Sequence, residues 1–355
     1  MVGDYVINRK VTKKIFVGDV PVGGHSKITV QSMTNTITKD VQSTVRQINE
    51  LESVGCDIIR FAVNDLEDAK SIPTIKSQIN IPTIADIQYD YRLAIASAEN
   101  GIDCLRINPG NIGDKNKIRE VVNACKYYGI PIRVGVNSGS IKKEFLNKYN
   151  GVNENSICYS ALEEIEVLES LNFYDIKVSL KASNVMLSIN SYEKFSSLCD
   201  YPLHLGITES GPAFSGTVKS SVGIGALLSK GIGDTIRVSL TTNPVEEVRV
   251  GREILKSLDI ISDGVEIISC PTCSRTKIDL IDIVNKAQVK LQTVNKDIKV
   301  ALMGCPVNGP GEAKEADIGI AGGDGIGIIF KKGKVIKKVK EEDLLDELLK
   351  EIEEM

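Results

Sequence analysis

Short apolar runs alternate with longer amphipathic stretches through the first two-thirds of the chain. Eight of these runs are rich in strand-forming residues: Ile28–Met33, Cys56–Val63, Pro82–Ile87, Cys104–Ile107, Pro131–Asn137, Asp175–Ala182, Leu203–Thr208 and Thr235–Leu240. Between them, stretches such as Asp40–Val54, Tyr91–Glu99 and Asn116–Tyr128 repeat apolar residues at helical spacing. Strands that alternate with helices form parallel βαβ units. Eight units predict a closed (β/α)₈ TIM-type barrel, because a doubly wound sheet usually has fewer strands and a Gly-rich first turn, which is absent here.

The segment before the first of these runs has its own pattern. Val11–Gly24 ends in a Gly- and Pro-containing sequence that is typical of a turn between two short strands. Two interpretations stay open, a hairpin that covers the bottom of the barrel and a simple N-terminal arm.

The pattern changes near Leu258–Glu266, which marks a domain boundary. The segments that follow predict a strand at Val265–Ser269, a helix at Lys277–Gln292 and a strand at Lys299–Met303. After them come a Gly-rich stretch at Gly319–Gly327, a strand pair around Lys332–Gly333 and an acidic amphipathic helix at Glu341–Glu353. We therefore expect a barrel domain over residues 1–260 and a smaller α+β domain over residues 265–355.

Composition and charge narrow the class of protein. The chain has 355 residues, enough for about two domains, and a net charge of −4, which does not favour a nucleic-acid-binding protein. No apolar run is long enough to cross a bilayer, and the N-terminus lacks the apolar core of a signal peptide. We therefore expect a cytoplasmic protein without a membrane partner, in which the eight cysteines are not structural disulfides.

Polar side chains cluster at the predicted carboxyl ends of the strands, where barrels keep their active sites. Arg133 and Asn137 are four residues apart on one strand, as are Lys177 and Lys181 on the next, so each pair points the same way. The whole set comprises Arg60, Asp86, Arg106, Asn108, Arg133, Asn137, Lys177, Lys181, Glu209, Arg237 and Ser239. Burying so many cations without an anion would be costly, and arginine suits phosphate oxygens. The sequence therefore predicts a diphosphate site at the barrel mouth.

Three cysteines stand apart from the other five. Cys270 and Cys273 form a Cys-x-x-Cys pair, and Cys305 lies in a Gly- and Pro-rich loop further along the chain. Zinc and a redox dithiol are rivals for such a pair, but structural zinc usually takes four nitrogen or sulfur ligands, and neither histidine is near in sequence. A 4Fe–4S cluster also needs four ligands. Glu312, in the same loop as Cys305, could supply an oxygen, or it could be a solvated loop residue.

At these residues the chain resembles the 4-hydroxy-3-methylbut-2-en-1-yl diphosphate synthases, in their short bacterial two-domain form. The resemblance runs nearly end to end and is carried by these motifs: Val30-Gln31-Ser32-Met33-Thr34, Ile59-Arg60-Phe61-Ala62-Val63, Leu105-Arg106-Ile107-Asn108-Pro109-Gly110-Asn111, Val136-Asn137-Ser138-Gly139-Ser140, Lys181-Ala182-Ser183, Leu203-His204-Leu205-Gly206-Ile207-Thr208-Glu209, Cys270-Pro271-Thr272-Cys273 and Asn308-Gly309-Pro310-Gly311-Glu312. Together these motifs are highly specific.

The resemblance implies an enzyme that reductively opens 2-C-methyl-D-erythritol 2,4-cyclodiphosphate, with electrons from flavodoxin or ferredoxin. It implies a 4Fe–4S cluster on Cys270, Cys273, Cys305 and Glu312, with Glu209 near the reacting carbons. The diphosphate would be held by Arg60, Asp86, Arg106, Arg133, Asn137, Lys181, Arg237 and Ser239. It also implies a head-to-tail homodimer in which one subunit's barrel faces the partner's cluster.

One position departs from the family pattern. The family commonly has Asp-Ile-His after the third strand, whereas this chain has Asp86-Ile87-Gln88. An amide cannot carry a proton at neutral pH, so an acid–base role for Gln88 is in doubt. The alternative functions are a phosphate-binding barrel with structural zinc, and a non-catalytic redox sensor whose barrel holds a regulatory anion.

Overall fold

A computed structural model describes residues 7–262, 264–291, 294, 296–306 and 313–355, with only the backbone of Ser140. The chain divides into two compact units, of which the first ends at Ile260 and the second begins at Ile261. Among the described residues, no helix is both long enough and apolar enough to cross a membrane.

In the described part of the first unit there are ten strands, of which the eight of the barrel follow the predicted apolar runs closely. They are β1 (Ile15–Val17), β2 (Val20–Val22), β3 (Thr29–Met33), β4 (Ile58–Ala62), β5 (Thr83–Asp86), β6 (Cys104–Ile107), β7 (Ile132–Asn137), β8 (Ile176–Lys181), β9 (His204–Leu205) and β10 (Thr235–Ile236). The last two strands are shorter than predicted, so Glu209, Arg237 and Ser239 lie in the loops that follow them. Gly206 explains part of this, because a Cβ there would lie 2.8 Å from the Arg237 carbonyl oxygen.

Strands β3 to β10 form one parallel sheet in the order β8-β7-β6-β5-β4-β3-β10-β9. The two ends of this series meet, because Val178 and Leu203 form a parallel bridge and the Val178 N–H donates to the Pro202 carbonyl at 2.9 Å. The predicted TIM-type barrel is therefore confirmed. Strands β3 and β7 are four positions apart around the ring and lie on opposite walls.

Ten α-helices among the described residues of the first unit connect and surround the strands. They are α1 (Val41–Ser53), α2 (Leu66–Lys76), α3 (Tyr91–Glu99), α4 (Pro109–Ile112), α5 (Lys115–Tyr128), α6 (Lys143–Lys148), α7 (Glu154–Glu169), α8 (Val185–Leu198), α9 (Ala213–Leu228) and α10 (Pro244–Lys256). Asp or Asn side chains cap most of the N-termini; Asp114, for example, accepts bonds from the N–H groups of Asn116 and Lys117. These caps explain why the helices begin directly after polar loop residues.

The N-terminal segment forms a hairpin of β1 and β2, as the first of its two interpretations predicts. Its apolar side chains pack against residues at the start of three barrel strands, in a cluster of Ile15, Val17, Val22, Ile58, Ile84 and Cys104. Because these are the amino-terminal ends of the strands, the hairpin covers the bottom of the barrel and leaves the opposite end to the polar residues.

The second unit is the predicted α+β domain. It contains β11 (Val265–Ser269), α11 (Leu280–Leu291), β12 (Ile298–Met303), β13 (Ile318–Ala321), β14 (Ile326–Lys331), β15 (Lys334–Lys340) and α12 (Leu344–Glu353). The sheet order follows the chain from β11 to β15; the first three strands are parallel and the last three antiparallel. Helix α11 begins three residues later than predicted, because the Asp279 side chain accepts from the Asp282 N–H and ends the loop there.

The two faces of this sheet differ. On one face, Leu280 and Leu291 of α11 pack with Leu344 and Leu348 of α12 over the sheet residue Ile329 and its neighbours. We call this the helix face. The opposite face carries a smaller cluster that comprises Ala301, Met303, Ala313, Ala316, Ala321 and Phe330, with Ile268, Cys270 and Ile328 at its edge. We call this the cysteine face.

Candidate active site

Asp86 is the anionic centre of the barrel mouth. The Arg106 guanidinium donates from Nη1 to Asp86 Oδ1 at 3.2 Å, and Arg60 Nε lies 4.0 Å from Asp86 Oδ2. All three side chains are buried. Burial alone would raise the pKa of Asp86, but the positive charges of Arg60 and Arg106 outweigh it and hold that pKa below its ordinary value. The carboxylate is therefore charged and orients two guanidinium groups.

Three cations continue the level of Asp86 across the next three strands. Arg106, Arg133 and Lys177 occupy matched positions on β6, β7 and β8, so their side chains point into the barrel at one level. Arg133 and Lys177 are fully buried. Burial and the neighbouring Arg106 lower the pKa of Arg133 to about 10. Burial lowers the pKa of Lys177 to about 8.

Several hydrogen-bond donors of these basic side chains have no acceptor. Among the described residues, the buried nitrogens without a hydrogen-bond partner include Arg60 Nη1, Arg106 Nε, Arg133 Nε, Arg133 Nη2 and Lys177 Nζ. A buried charged donor without an acceptor is costly, so unsatisfied donors at one place indicate a missing anionic or strongly polar ligand.

Lys181 lines a pocket together with Arg60, His204, Arg237 and Ser239. Burial, reinforced by the charges of Arg60 and other arginines, lowers the pKa of Lys181 to about 5. Burial in the same positive field lowers the pKa of His204, so its ring is neutral. An anion in the pocket would offset that field and favour the charged form of Lys181.

Glu247 is a site residue that the sequence reasoning missed. It lies in the first turn of α10, is buried, and places Oε2 3.7 Å from Arg237 Nη2. Its Oε1 accepts from the Leu240 N–H at 2.8 Å, which fixes the loop after β10. Burial raises the pKa of Glu247, against the charge of Arg237. A glutamate just after the last predicted strand was the only signal, and helix patterning alone does not show that it points inward.

We call the group of basic side chains at the barrel mouth the cradle. Gly135 is required by the packing of this group. A Cβ at this position would lie 2.9 Å from both Nε and Nη2 of Arg106 and 3.2 Å from Ser179 Oγ. The missing side chain therefore provides the space that the Arg106 guanidinium occupies.

Three other predicted positions lie around the mouth in different settings. Glu209 is exposed, in a left-handed backbone conformation with φ 53°, and the adjacent Ser210 hydroxyl donates to the Ser239 carbonyl. Asn137 ends β7 and is partly buried. Asn108 caps α4 by accepting from the Gly110 N–H. The structure thus holds the Glu209 loop beside Ser239, but it shows no contact of Glu209 itself with the pocket.

The three distinctive cysteines lie at adjacent strand ends of the second unit. Cys270 follows β11 and Cys305 follows β12, and these strands are parallel neighbours. The Gly304 N–H donates to Cys270 Sγ at 3.3 Å, and the Lys277 N–H donates to the Gly304 carbonyl at 2.8 Å. These bonds tie the two cysteine loops together.

Cys273 is exposed, and its sulfur accepts from the Arg275 N–H at 3.5 Å. Glu312 lies outside the described residues. Within the described part of the chain, no three His, Cys, Asp or Glu side chains are close enough to hold a metal ion. The other five cysteines are free; four are buried in the barrel unit, and burial raises the pKa of Cys56, among others, to about 12. The thiol chemistry is therefore concentrated in the two tied loops.

Comparison with known families decides the relationship. Residues 12–252 match the profile of the GcpE TIM-barrel domain, and residues 266–354 match that of the GcpE protein C-terminal domain. The chain belongs to the GcpE family. The resemblance found in the sequence motifs is thereby confirmed.

Two relatives cover nearly the full chain. One from Caldanaerobacter subterraneus subsp. tengcongensis is 61% identical over 98% of this chain and 98% of its own length. One from Clostridium perfringens is 58% identical over 98% of this chain and 99% of its own length. Both are named 4-hydroxy-3-methylbut-2-en-1-yl diphosphate synthase (flavodoxin).

Solved structures resemble the barrel at much lower identity. A dihydropteroate synthase from Coxiella burnetii in complex with pteroic acid has a TM-score of 0.51 and 13% identity, over 70% of this chain and 98% of its own. The 7,8-dihydropteroate synthase of Vibrio fischeri has a TM-score of 0.51 and 11% identity, over 70% and 98%. At this identity the likeness concerns the fold alone.

Proposed function

We propose that the chain is a 4-hydroxy-3-methylbut-2-en-1-yl diphosphate synthase. The substrate is 2-C-methyl-D-erythritol 2,4-cyclodiphosphate, which takes up two electrons and two protons, opens its ring and loses one water to give the linear allylic diphosphate. The relatives that share the chain nearly end to end carry this name. The observation that supports it most directly is the set of buried cationic donors without acceptors at the barrel mouth.

The diphosphate is proposed to bind where these donors converge. Six basic side chains surround the mouth: Arg60, Arg106, Arg133, Lys177, Lys181 and Arg237. Arg60 and Arg106 form ion pairs with Asp86, and Arg237 forms one with Glu247. Phosphate oxygens would accept hydrogen bonds from the guanidinium N–H groups and compensate the excess positive charge. Asn137 and Ser239, at the edge of the mouth, would add neutral hydrogen bonds.

In this proposal the binding residues also position the carbon skeleton. Fixed phosphates give the substrate one orientation, so binding energy from the non-reacting end assists the chemistry at the other end. Glu209, in the exposed loop beside Ser239, is our candidate for the group that transfers a proton to or from the substrate. Gln88, in contrast, is limited to hydrogen bonding.

A 4Fe–4S cluster is proposed on Cys270, Cys273, Cys305 and Glu312. Two observations favour this donor set: the two cysteine loops lie at adjacent strand ends, and the Gly304 N–H of one donates to Cys270 Sγ of the other. The described side chains do not themselves converge on a metal position. When bound, the cluster would supply electrons one at a time and a Lewis-acidic iron, whose carboxylate ligand is more easily displaced than a thiolate. In this proposal the cluster lies next to the second unit's sheet.

The proposed partners follow from the relatives and the division of labour. Flavodoxin is the expected electron donor, since the relatives' names include it; ferredoxin is the alternative carrier. We further propose a homodimer in which each active site combines the barrel of one subunit with the cluster of its partner. We also propose that the reaction takes place in the cytoplasm, because free thiols and a reduced carrier suit a reducing compartment.

The test is anaerobic purification with reconstitution, followed by turnover of the cyclodiphosphate with reduced flavodoxin and, separately, with dithionite. We expect about four irons and four sulfides per chain and formation of the allylic diphosphate, detected by mass spectrometry. Cys305→Ser should lose the cluster, whereas Cys56→Ser should keep it, because a serine hydroxyl can still donate to the Ile58 carbonyl as the thiol does. A colourless protein with one zinc and no turnover would contradict the proposal.

A further inference from the structure

The edge of the second unit's sheet is strongly basic. Strand β15 pairs with β14 alone, and six of the ten residues from 331 to 340 are lysines, in a chain with net charge −4. No acidic residue interrupts this stretch. The hairpin is therefore a local concentration of positive charge on an acidic protein.

On the helix face the lysines are compensated. Lys331 Nζ lies 2.9 Å from Glu351, and Lys337 forms an ion pair with Glu347, both glutamates being on α12. These pairs attach the hairpin to the helix and leave little charge on that side.

On the cysteine face one lysine of the strand, Lys340, is paired with Glu342 at 3.4 Å, and another is not compensated. Lys338 is matched in register with Ile328, whose side chain packs against the same apolar cluster as Cys270 does. Residues matched in an antiparallel pair point to the same side of a sheet, so Lys338 lies on the cysteine face. Lys332 is exposed in the turn, and neither lysine forms an ion pair with any residue that the structure describes.

Apolar side chains accompany these lysines. Ile326 is 58% exposed and Val335 is 49% exposed, and Val335 is matched with Phe330 of the same cluster. Exposed apolar groups beside uncompensated cations suit a protein surface better than a small anion, which would need only the charges. We call Ile326, Lys332, Val335 and Lys338 the basic hairpin surface.

We propose that the basic hairpin surface docks an acidic one-electron carrier protein, of the flavodoxin kind, beside the cysteine loops. This inference rests on the proposed function and adds the place at which its electrons enter. Small, transient interfaces guided by complementary charge are typical of redox encounters. Ile328 and Cys270 both pack against the same apolar cluster, so the surface and one cysteine loop lie on one face of the sheet, and a carrier docked there lies on the face of the proposed cluster. Two successive encounters supply the two electrons.

The experiment uses the full-length cluster-containing enzyme under anaerobic conditions. The variant is Lys332→Glu with Lys338→Glu, and the control is Lys27→Glu with Lys219→Glu, two exposed lysines of the barrel unit that change the net charge equally. Turnover of the cyclodiphosphate is measured against the concentration of a reduced flavodoxin of net negative charge, and separately with dithionite, which needs no docking surface.

We expect the hairpin variant to raise the KM for flavodoxin about tenfold at low salt, because rim charges mainly set the rate of encounter. The difference from wild type should shrink at high salt, where exposed charges are screened. The dithionite-driven rate should stay within about twofold of wild type, since the change does not touch the substrate site.

Three results would overturn the proposal. An unchanged KM for flavodoxin, with aggregation of the variant, would mean that the lysines only protect a sheet edge. A change from dimer to monomer in sedimentation would make the surface an interface between copies of the chain. An equal fall in the dithionite-driven rate would show an effect on the catalytic centre instead of docking. Absence of dithionite-driven turnover in the wild type would instead refute the proposed function.

Discussion

Arg133 Nη1 donates to Gln31 Oε1 at 3.2 Å, and this bond joins β7 to β3 across the interior of the barrel. Both side chains are buried, and the other two donor groups of Arg133, Nε and Nη2, have no acceptor in the described structure. Gln31 therefore holds this buried guanidinium in place while leaving two of its nitrogens, Nε and Nη2, for a ligand.

Replacing Gln31 by Leu should destabilise the protein by about 1–3 kcal/mol, because a buried guanidinium loses its acceptor. The measurement is the free energy of unfolding from urea titration. Gln42→Leu on the exposed side of α1 is the matched control and should change it by less than about 0.5 kcal/mol. Equal stability of the two variants would show that the bond across the barrel contributes nothing.

Gln31→Glu should weaken the binding of a diphosphate at the barrel mouth. A carboxylate next to Arg133 compensates its charge in the free protein, so pyrophosphate, used as a minimal diphosphate probe, should bind more weakly than to wild type. Calorimetric titration measures this. Tighter binding by the glutamate variant would place the phosphates away from Arg133.

Replacing Arg106 by Ala should weaken pyrophosphate binding about 10- to 150-fold, corresponding to the roughly 1.5–3 kcal/mol of a hydrogen bond to a charged group. In turnover, the KM for the cyclodiphosphate should rise and kcat should also fall, since a misplaced substrate reacts more slowly. Arg119→Ala, at an exposed position on α5, is the control. If the two variants bind pyrophosphate equally, Arg106 is not part of the cradle.

Lys181 should make the stability of the ligand-free barrel depend on pH. Burial lowers its pKa to about 5 from 10.5, so between these values the unfolded chain binds a proton that the folded chain does not. Stability from this group therefore rises with pH across that window, and the folded state is penalised at neutral pH. Lys181→Met should raise the unfolding temperature of the free protein at pH 7.

In the presence of pyrophosphate, the unfolding temperature of Lys181→Met should no longer exceed that of the wild type, because the anion favours the charged lysine of the wild type. Thermal unfolding from pH 6 to 9, with and without pyrophosphate, measures both effects. Lys194→Met, on the exterior helix α8, is the control for removing a lysine. Identical pH profiles of the Lys181→Met variant and the wild type would contradict the low pKa.

Mixed dimers test the proposed composite sites. Arg106→Ala weakens a barrel site and Cys305→Ser disables a cluster, so at substrate concentrations well below the raised KM each variant alone should have little activity. With random mixing of equal amounts, about half of the dimers are mixed and each has one intact site, so activity should recover to roughly a quarter of wild type. No recovery after proven subunit exchange would mean that each chain works alone.

The sequence by itself determined the order and kind of the elements. Apolar periodicity shows which segments are strands and helices, since that signal is local, and it led to the barrel and the α+β domain. Spacing four apart on one strand indicated that Lys177 and Lys181 share a direction, and the Cys-x-x-Cys pair marked the thiol loops. The family followed from motifs that are contiguous in the chain.

Only the tertiary structure decided which side chains meet, and at what depth. Gln31 and Arg133 are 102 residues apart in the chain, and their pairing depends on the closure of the barrel. Glu247 points at Arg237 because α10 packs back onto the barrel, which no local pattern records. Lys177 is buried below the pocket while Lys181 lines it, although both share a face of β8. Burial and charge add up over all surrounding elements, so the pKa values and unsatisfied donors that identify an anion site exist only once the chain is folded.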